Sequence, residues 1–156
     1  MRNLSLGMAV AATLLLAAGA AENANFSGTW HLNVEKSRWG SKPKPVSVTL
    51  VIEHNDPKLH YRGTVTQSGE NTRDFTFDGA IDGKEYPMTS AAGAGMATLR
   101  RVDANTIETD FRSTDGARTE NARTSLSRDG KVLTRTIREK TPETGSKTWV
   151  EIYERR

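Results

Sequence analysis

Cysteine is absent from the 156-residue sequence. That excludes thiol catalysis, zinc–thiolate sites, disulfide staples and lipid attachment at a cysteine. A chain with no covalent cross-link has to hold itself together by its apolar core. Aromatic residues are scarce, at 6 %, so any pocket they line is small or partly filled. Charge of one sign is never concentrated. Lys and Arg (22) interleave with Asp and Glu (19), which makes a mixed, solvated surface and not the clustered positive face of a nucleic-acid binder. Only three histidines are present, and alternation does not bring His31, His54 and His60 to one face. No metal site is expected, and no cofactor. A nucleophile elbow, an EF-hand loop and a phosphate loop are all missing, so no catalytic residues can be named.

One hydrophobic run stands out, at the start: "MRNLSLGMAVAATLLLAAGA". A positive residue, a short apolar stretch and small residues at Ala18 and Ala20 describe a secretory signal peptide, residues 1–20, cut after Ala20. The apolar run is shorter than the roughly 20 residues a membrane span needs. The expected location is therefore periplasmic or secreted, with no stable membrane insertion after cleavage. Residues 21–156 leave about 135 residues, enough for one domain with one core.

Helical spacing of apolar residues is missing after that point. Short alternating runs rich in Thr, Val, Ile, Phe and Tyr recur instead, separated by turn signals such as "HNDPK", "FDGAIDGK", "TDGA", "RDGK" and "PETGS". Asp-Gly pairs favour tight hairpins, because type I′ turns require positive φ at both central positions. The pattern predicts ten strands, near 27–34, 46–54, 58–67, 71–78, 84–89, 95–102, 105–113, 117–127, 131–139 and 147–155. Most of the links are short enough for hairpins. The expected fold class is all-β: an up-and-down antiparallel meander that closes into a barrel of about 8–10 strands to remove its edges. The longer link "EKSRWGSKPKP" carries prolines and a glycine that argue against a helix.

Local pairings follow from the turns. A turn at Asn55–Lys58 sets Ile52 opposite Tyr61, on the inner face with Val48 and Leu50, and Glu53 opposite His60 outside. A turn at Asp129–Gly130 sets Leu126 opposite Leu133 and Ala122 opposite Ile137. In "GTWHLNV" alternation puts Trp30, Leu32 and Val34 on one face, and in "TWVEIYERR" it puts Trp149, Glu151, Tyr153 and Arg155 on one face. If the first and last strands pair, Trp30 plugs one end of the barrel and a C-terminal arginine lies on its indole. That contact is worth about 0.5–2 kcal/mol beyond the burial.

"FSGTWHL" resembles the Gly-x-Trp opening of the calycins, the lipocalins and fatty-acid-binding proteins. "SLSRDGKVLTRT" with "IYERR" resembles the last hairpin and final strand of the fatty-acid-binding branch. The resemblance covers both ends of the chain and implies a bacterial exported lipocalin-like protein in which Arg155 packs on Trp30. It also has two departures. The link after the first strand is too short and proline-rich for that branch's helical lid. Tyr153 matches the tyrosine that holds a ligand carboxylate, but Glu151 stands where its partner arginine belongs. A carboxylate there repels an anionic ligand unless it is protonated or paired.

Two signals conflict in the last hairpin. Apolar alternation turns Leu126, Leu133 and Ile137 inward and brings Arg135 with them. The resemblance favours the other register, with Arg123, Ser125, Val132, Thr134, Thr136 and Arg138 inside; a one-residue slip exchanges the whole set. Adopting the second, the expected binding residues are Arg123, Arg138, Glu151 and Tyr153 as a polar clasp, with Ile52, Tyr61, Phe75 and Phe77 on the apolar side. Leu32, Leu50, Ile107 and Phe111 complete the core or pocket. The expected partner is a small hydrophobic or amphipathic molecule bound without chemistry. The alternatives are a protein-binding module such as a periplasmic protease inhibitor, an isomerase on the same barrel, and a barrel filled by its own side chains.

Overall fold

The computed structural model describes residues 22–69 and 71–156, so the signal-peptide segment and its cut after Ala20 lie outside the described residues. Ten strands follow in order: β1 Gly28–Leu32, β2 Ser47–Asn55, β3 Lys58–Thr66, β4 Thr72–Ala80, β5 Glu85–Ser90, β6 Gly93–Asp103, β7 Thr106–Ser113, β8 Thr119–Leu126, β9 Val132–Thr141 and β10 Gly145–Arg155. Each pairs antiparallel with the next, and β1 pairs with β10, which closes the barrel. The closure leaves no free sheet edge, although β4 and β5 pair only at Thr76–Thr89 and Phe77–Met88.

The turns set the register. Ile52 faces Tyr61 and Glu53 faces His60 across β2–β3. Gly130, at φ +70°, takes the left-handed position of the β8–β9 turn, and Leu126 then faces Leu133 and Ala122 faces Ile137. All four of these β8 and β9 side chains are buried. This overturns the inward register expected for Arg123 and Arg138. Both point outward, and the Arg123 side chain is 55 % exposed, 4.0 Å from Asp103. Leu133 and Ile137 gain far more from burial than two guanidinium groups could recover in a barrel wall, so apolar alternation decides the face. Arg135 turns inward in their place.

One end of the barrel is sealed. Trp30 is fully buried, its Nε1 donating to the Phe26 carbonyl at 3.1 Å. The Phe26 amide donates to His54 Nδ1 at 3.2 Å, and the Ala24 amide to the Ala104 carbonyl at 2.8 Å. Residues 24–27 therefore cross the base of the barrel beside the indole. Below them, Asp56 accepts from Arg101 at 2.7 Å and from Asn23 at 2.9 Å, and lies 3.3 Å from His54 Nε2.

At the opposite end the link after β1 folds back along β10. Arg38 and Val150 exchange two backbone hydrogen bonds, and the Ile152 amide donates to Ser37 Oγ. Trp39 is thereby buried with Trp149, Ala122 and Ile137 in a cluster separate from the main core.

Candidate functional site

Between the sealed base and the folded-back link lies a cavity of about 470 Å³. Its lining runs from Phe26 and Leu59 at the base to Pro43, Gln67 and Ala92 at the other end. One wall is apolar. Leu50 and Ile52 of β2, Tyr61 and Val65 of β3, Phe75 of β4 and Met88 of β5 supply it, because strict alternation brings every second residue of these strands inside. The other wall comes from β8, β9 and β10 and carries Glu120, Arg135, Glu151 and Tyr153, with Arg118 just before β8.

Glu151 is the hub of the charged wall. Its Oε1 accepts from Trp149 Nε1 at 2.8 Å; its Oε2 accepts from Tyr153 Oη at 2.9 Å and from Arg135 Nη1 at 3.1 Å. Arg135 and Glu151 are direct cross-strand partners. Burial alone would lower the Arg135 pKa, but the facing Glu151, with Tyr153, Glu120 and Tyr61, raises it, so the guanidinium stays charged. Burial first, then the Glu151 charge, pushes the Tyr153 hydroxyl far above its ordinary value. Burial does the same to Tyr61. Both phenols are therefore neutral hydrogen-bond donors, Tyr61 reaching Met88 Sδ at 3.4 Å.

Nearer the open end, Arg118 Nη1 lies 3.2 Å from Glu139 and 3.4 Å from Glu120, and its Nη2 donates to Ser90 Oγ at 2.5 Å. The same guanidinium covers the Phe111 ring at 4.8 Å. Lys42 rests over the Trp149 ring, 3.6 Å from its centroid, and 4.0 Å from Glu139. Burial lowers the Lys42 pKa, with Glu139, Glu120 and Glu151 opposing. Burial raises that of Glu120 against the charges of Arg135, Arg118 and Lys42.

Of the residues expected at a binding site, Ile52, Tyr61, Phe75, Glu151 and Tyr153 line the cavity. Phe77 is buried behind them, stacked on Tyr61 at 5.5 Å, and is not part of the lining. Arg123 and Arg138 are on the outer surface. Arg155 lies over Trp30 at the sealed base, 4.6 Å from the ring centroid. Sequence reasoning did not single out Arg118, Glu120 and Lys42. The first two share the parity of Leu126, so once Leu126 faces in they follow. Lys42 gives no such signal, because it lies in a link without periodicity. Among the described residues, no group of three or more His, Asp or Glu is placed to hold a metal ion.

No protein-family model matches the sequence, and no curated protein matches it. Solved structures do match its shape. A Schistosoma mansoni fatty acid binding protein in complex with arachidonic acid superposes with a TM-score of 0.57 at 12 % identity, over 84 % of this chain and 96 % of the other. A zebrafish ileal bile acid-binding protein complexed with cholic acid gives 0.58 at 14 % identity, over 84 % and 98 %. This chain has the barrel fold of these two proteins. No helix stands between β1 and β2 here, and the link pairs with β10 through Arg38 and Val150.

Proposed function

We propose that this calycin barrel binds a small, partly apolar molecule non-covalently in its interior, as a carrier or scavenger, and performs no reaction on it. The observation that carries this is the cavity of about 470 Å³ with an apolar wall from β2–β5 facing a hydrogen-bonding wall from β8–β10. Pockets for small amphipathic ligands combine these two elements. Two proteins of similar shape have ligands of this kind bound, arachidonic acid and cholic acid. The signal-like start supports export, so the ligand would be met in the periplasm or outside the cell.

N-phenyl-1-naphthylamine, a neutral dye that fluoresces in apolar surroundings, tests the reading. The protein should bind it with micromolar affinity, about −8 kcal/mol. Val65→Trp, which narrows the cavity, should weaken it about tenfold or more. Native mass spectrometry of protein purified from its own host should reveal a bound small molecule. Dye binding unaffected by Val65→Trp would overturn the assignment of the cavity. A co-purified protein with no small molecule would favour a protein-binding module instead.

A further inference from the structure

The buried charges inside the barrel are balanced and largely spent on one another. Three cations, Lys42, Arg118 and Arg135, face three carboxylates, Glu120, Glu139 and Glu151; a fourth cation, Arg73, lines the cavity from an exposed position and donates to the Ala91 carbonyl at 3.0 Å. Arg135, the guanidinium best placed to hold an acid deep in the cavity, is committed to Glu151, and both oxygens of Glu151 are occupied. Arg118 is shared among Glu139, Glu120 and Ser90. A carboxylate entering this set would leave one uncompensated negative charge in a poorly solvated space, which is costly.

Glu120 differs from the others. Its Oε2 takes one long contact, 3.4 Å from Arg118, and no hydrogen bond reaches its Oε1 among the described residues. Every fully buried side-chain oxygen or nitrogen among those residues has a partner, so this oxygen is not sealed in protein. Glu120 lines the cavity, and the free oxygen is an acceptor open to whatever fills it. Acceptor-only carboxylates are satisfied by donors, not by other acceptors.

Resting on the assignment of the barrel as a ligand binder, we infer that the cavity selects a neutral amphiphile whose polar end donates a hydrogen bond to Glu120, and discriminates against alkyl carboxylates. A hydroxyl or an amide N–H fits the acceptor without disturbing the charge balance. Its apolar body lies against Leu50, Ile52, Phe75 and Met88.

The test is competition against bound N-phenyl-1-naphthylamine at about pH 8, where alkyl carboxylates are ionised. The two probes are 1-decanol and decanoate, which share a chain and differ in head group. Decanol should displace the dye at about tenfold lower concentration than decanoate. Glu120→Gln removes one negative charge from the balanced set, so its decanoate affinity should rise about tenfold relative to decanol. That gain of binding cannot come from a misfolded variant. Equal or tighter binding of decanoate to the unaltered protein overturns the inference and leaves ligand binding standing. So does an unchanged preference in Glu120→Gln. If the dye and both probes fail to bind, the ligand-binding assignment falls and the inference falls with it.

Discussion

Arg155 and Trp30 face each other directly across the β1–β10 seam, with the guanidinium 4.6 Å above the indole. Gly28 makes room for this contact. A Cβ there would come within 3.3 Å of the Arg155 guanidinium, and its φ of +146° is one that other residues rarely adopt. The indole is fully buried while Arg155 is exposed, so the two should contribute unequally. Trp30→Ala should cost about 3–5 kcal/mol of unfolding free energy. Arg155→Ala should cost about 0.5–1 kcal/mol, the range for a solvated cation–π contact. Urea unfolding of both single variants and the double variant checks this. A double variant that loses less than the two singles together establishes the coupling across the seam.

Glu151 accepts from three donors at once, and their dependence on it is measurable. Glu151→Ala strands the Arg135 charge and leaves the Trp149 N–H and Tyr153 hydroxyl without their acceptor. Removing one partner of a buried ion pair costs about 3–5 kcal/mol. Replacing both members, Arg135→Met with Glu151→Met, should restore much of that stability, because no uncompensated charge remains. Denaturation midpoints of the parent and the two variants decide it. If Glu151→Ala is as stable as the parent, the hub has no structural role.

The fold was legible because turns and alternation gave the same answer. The Asp129–Gly130 turn and the Asn55–Lys58 turn each set a register that the barrel adopts. The site was legible only in part. Leu126, Leu133 and Ile137 already marked the inner face of the last hairpin, but resemblance to a polar-lined relative pointed to the opposite face and brought Arg123 and Arg138 with it. Apolar transfer energy is local and accumulates residue by residue; a family's interior pattern carries over only if its partner charges do, and Glu151 had already broken that pattern. Lys42 was not readable at all. Its place over Trp149 depends on how an aperiodic link lies on β10, which no spacing encodes.

Phe75 lies flat over Gly63, its direct cross-strand partner. A Cβ on Gly63 would sit 2.1 Å from Phe75 Cζ. Gly63→Ala therefore has to drive the ring off its seat and into the cavity that it lines. The expected cost is about 1–3 kcal/mol of stability, together with weaker binding of N-phenyl-1-naphthylamine. Adding Phe75→Ala removes the clash and should lessen the stability defect of Gly63→Ala. Thermal unfolding and dye titration of the single and double variants check both effects.

Two carboxylates should give stability opposite dependences on pH. Glu120 has its pKa raised by burial, against the charges of Arg135, Arg118 and Lys42 and with a smaller push from Glu151. Between the ordinary carboxyl value and that raised value the folded state holds a proton that the unfolded chain has lost. Stability therefore falls as pH rises through this window. Glu120→Gln carries no such penalty, so its Tm should exceed the parent's at alkaline pH, with the gap closing under acid. Asp56 runs the other way. Its hydrogen bond from Arg101 holds its pKa down against burial, helped by Asn23 and His54. Its contribution is present above the ordinary carboxyl value and is lost as pH falls through the depressed one. Asp56→Asn should lower Tm near neutrality, and that gap too should close on acidification. Calorimetric scans of the parent and both variants from about pH 3 to pH 8 separate the two signs; a Glu120→Gln gap of the same sign as Asp56→Asn at alkaline pH would contradict the burial assigned to Glu120.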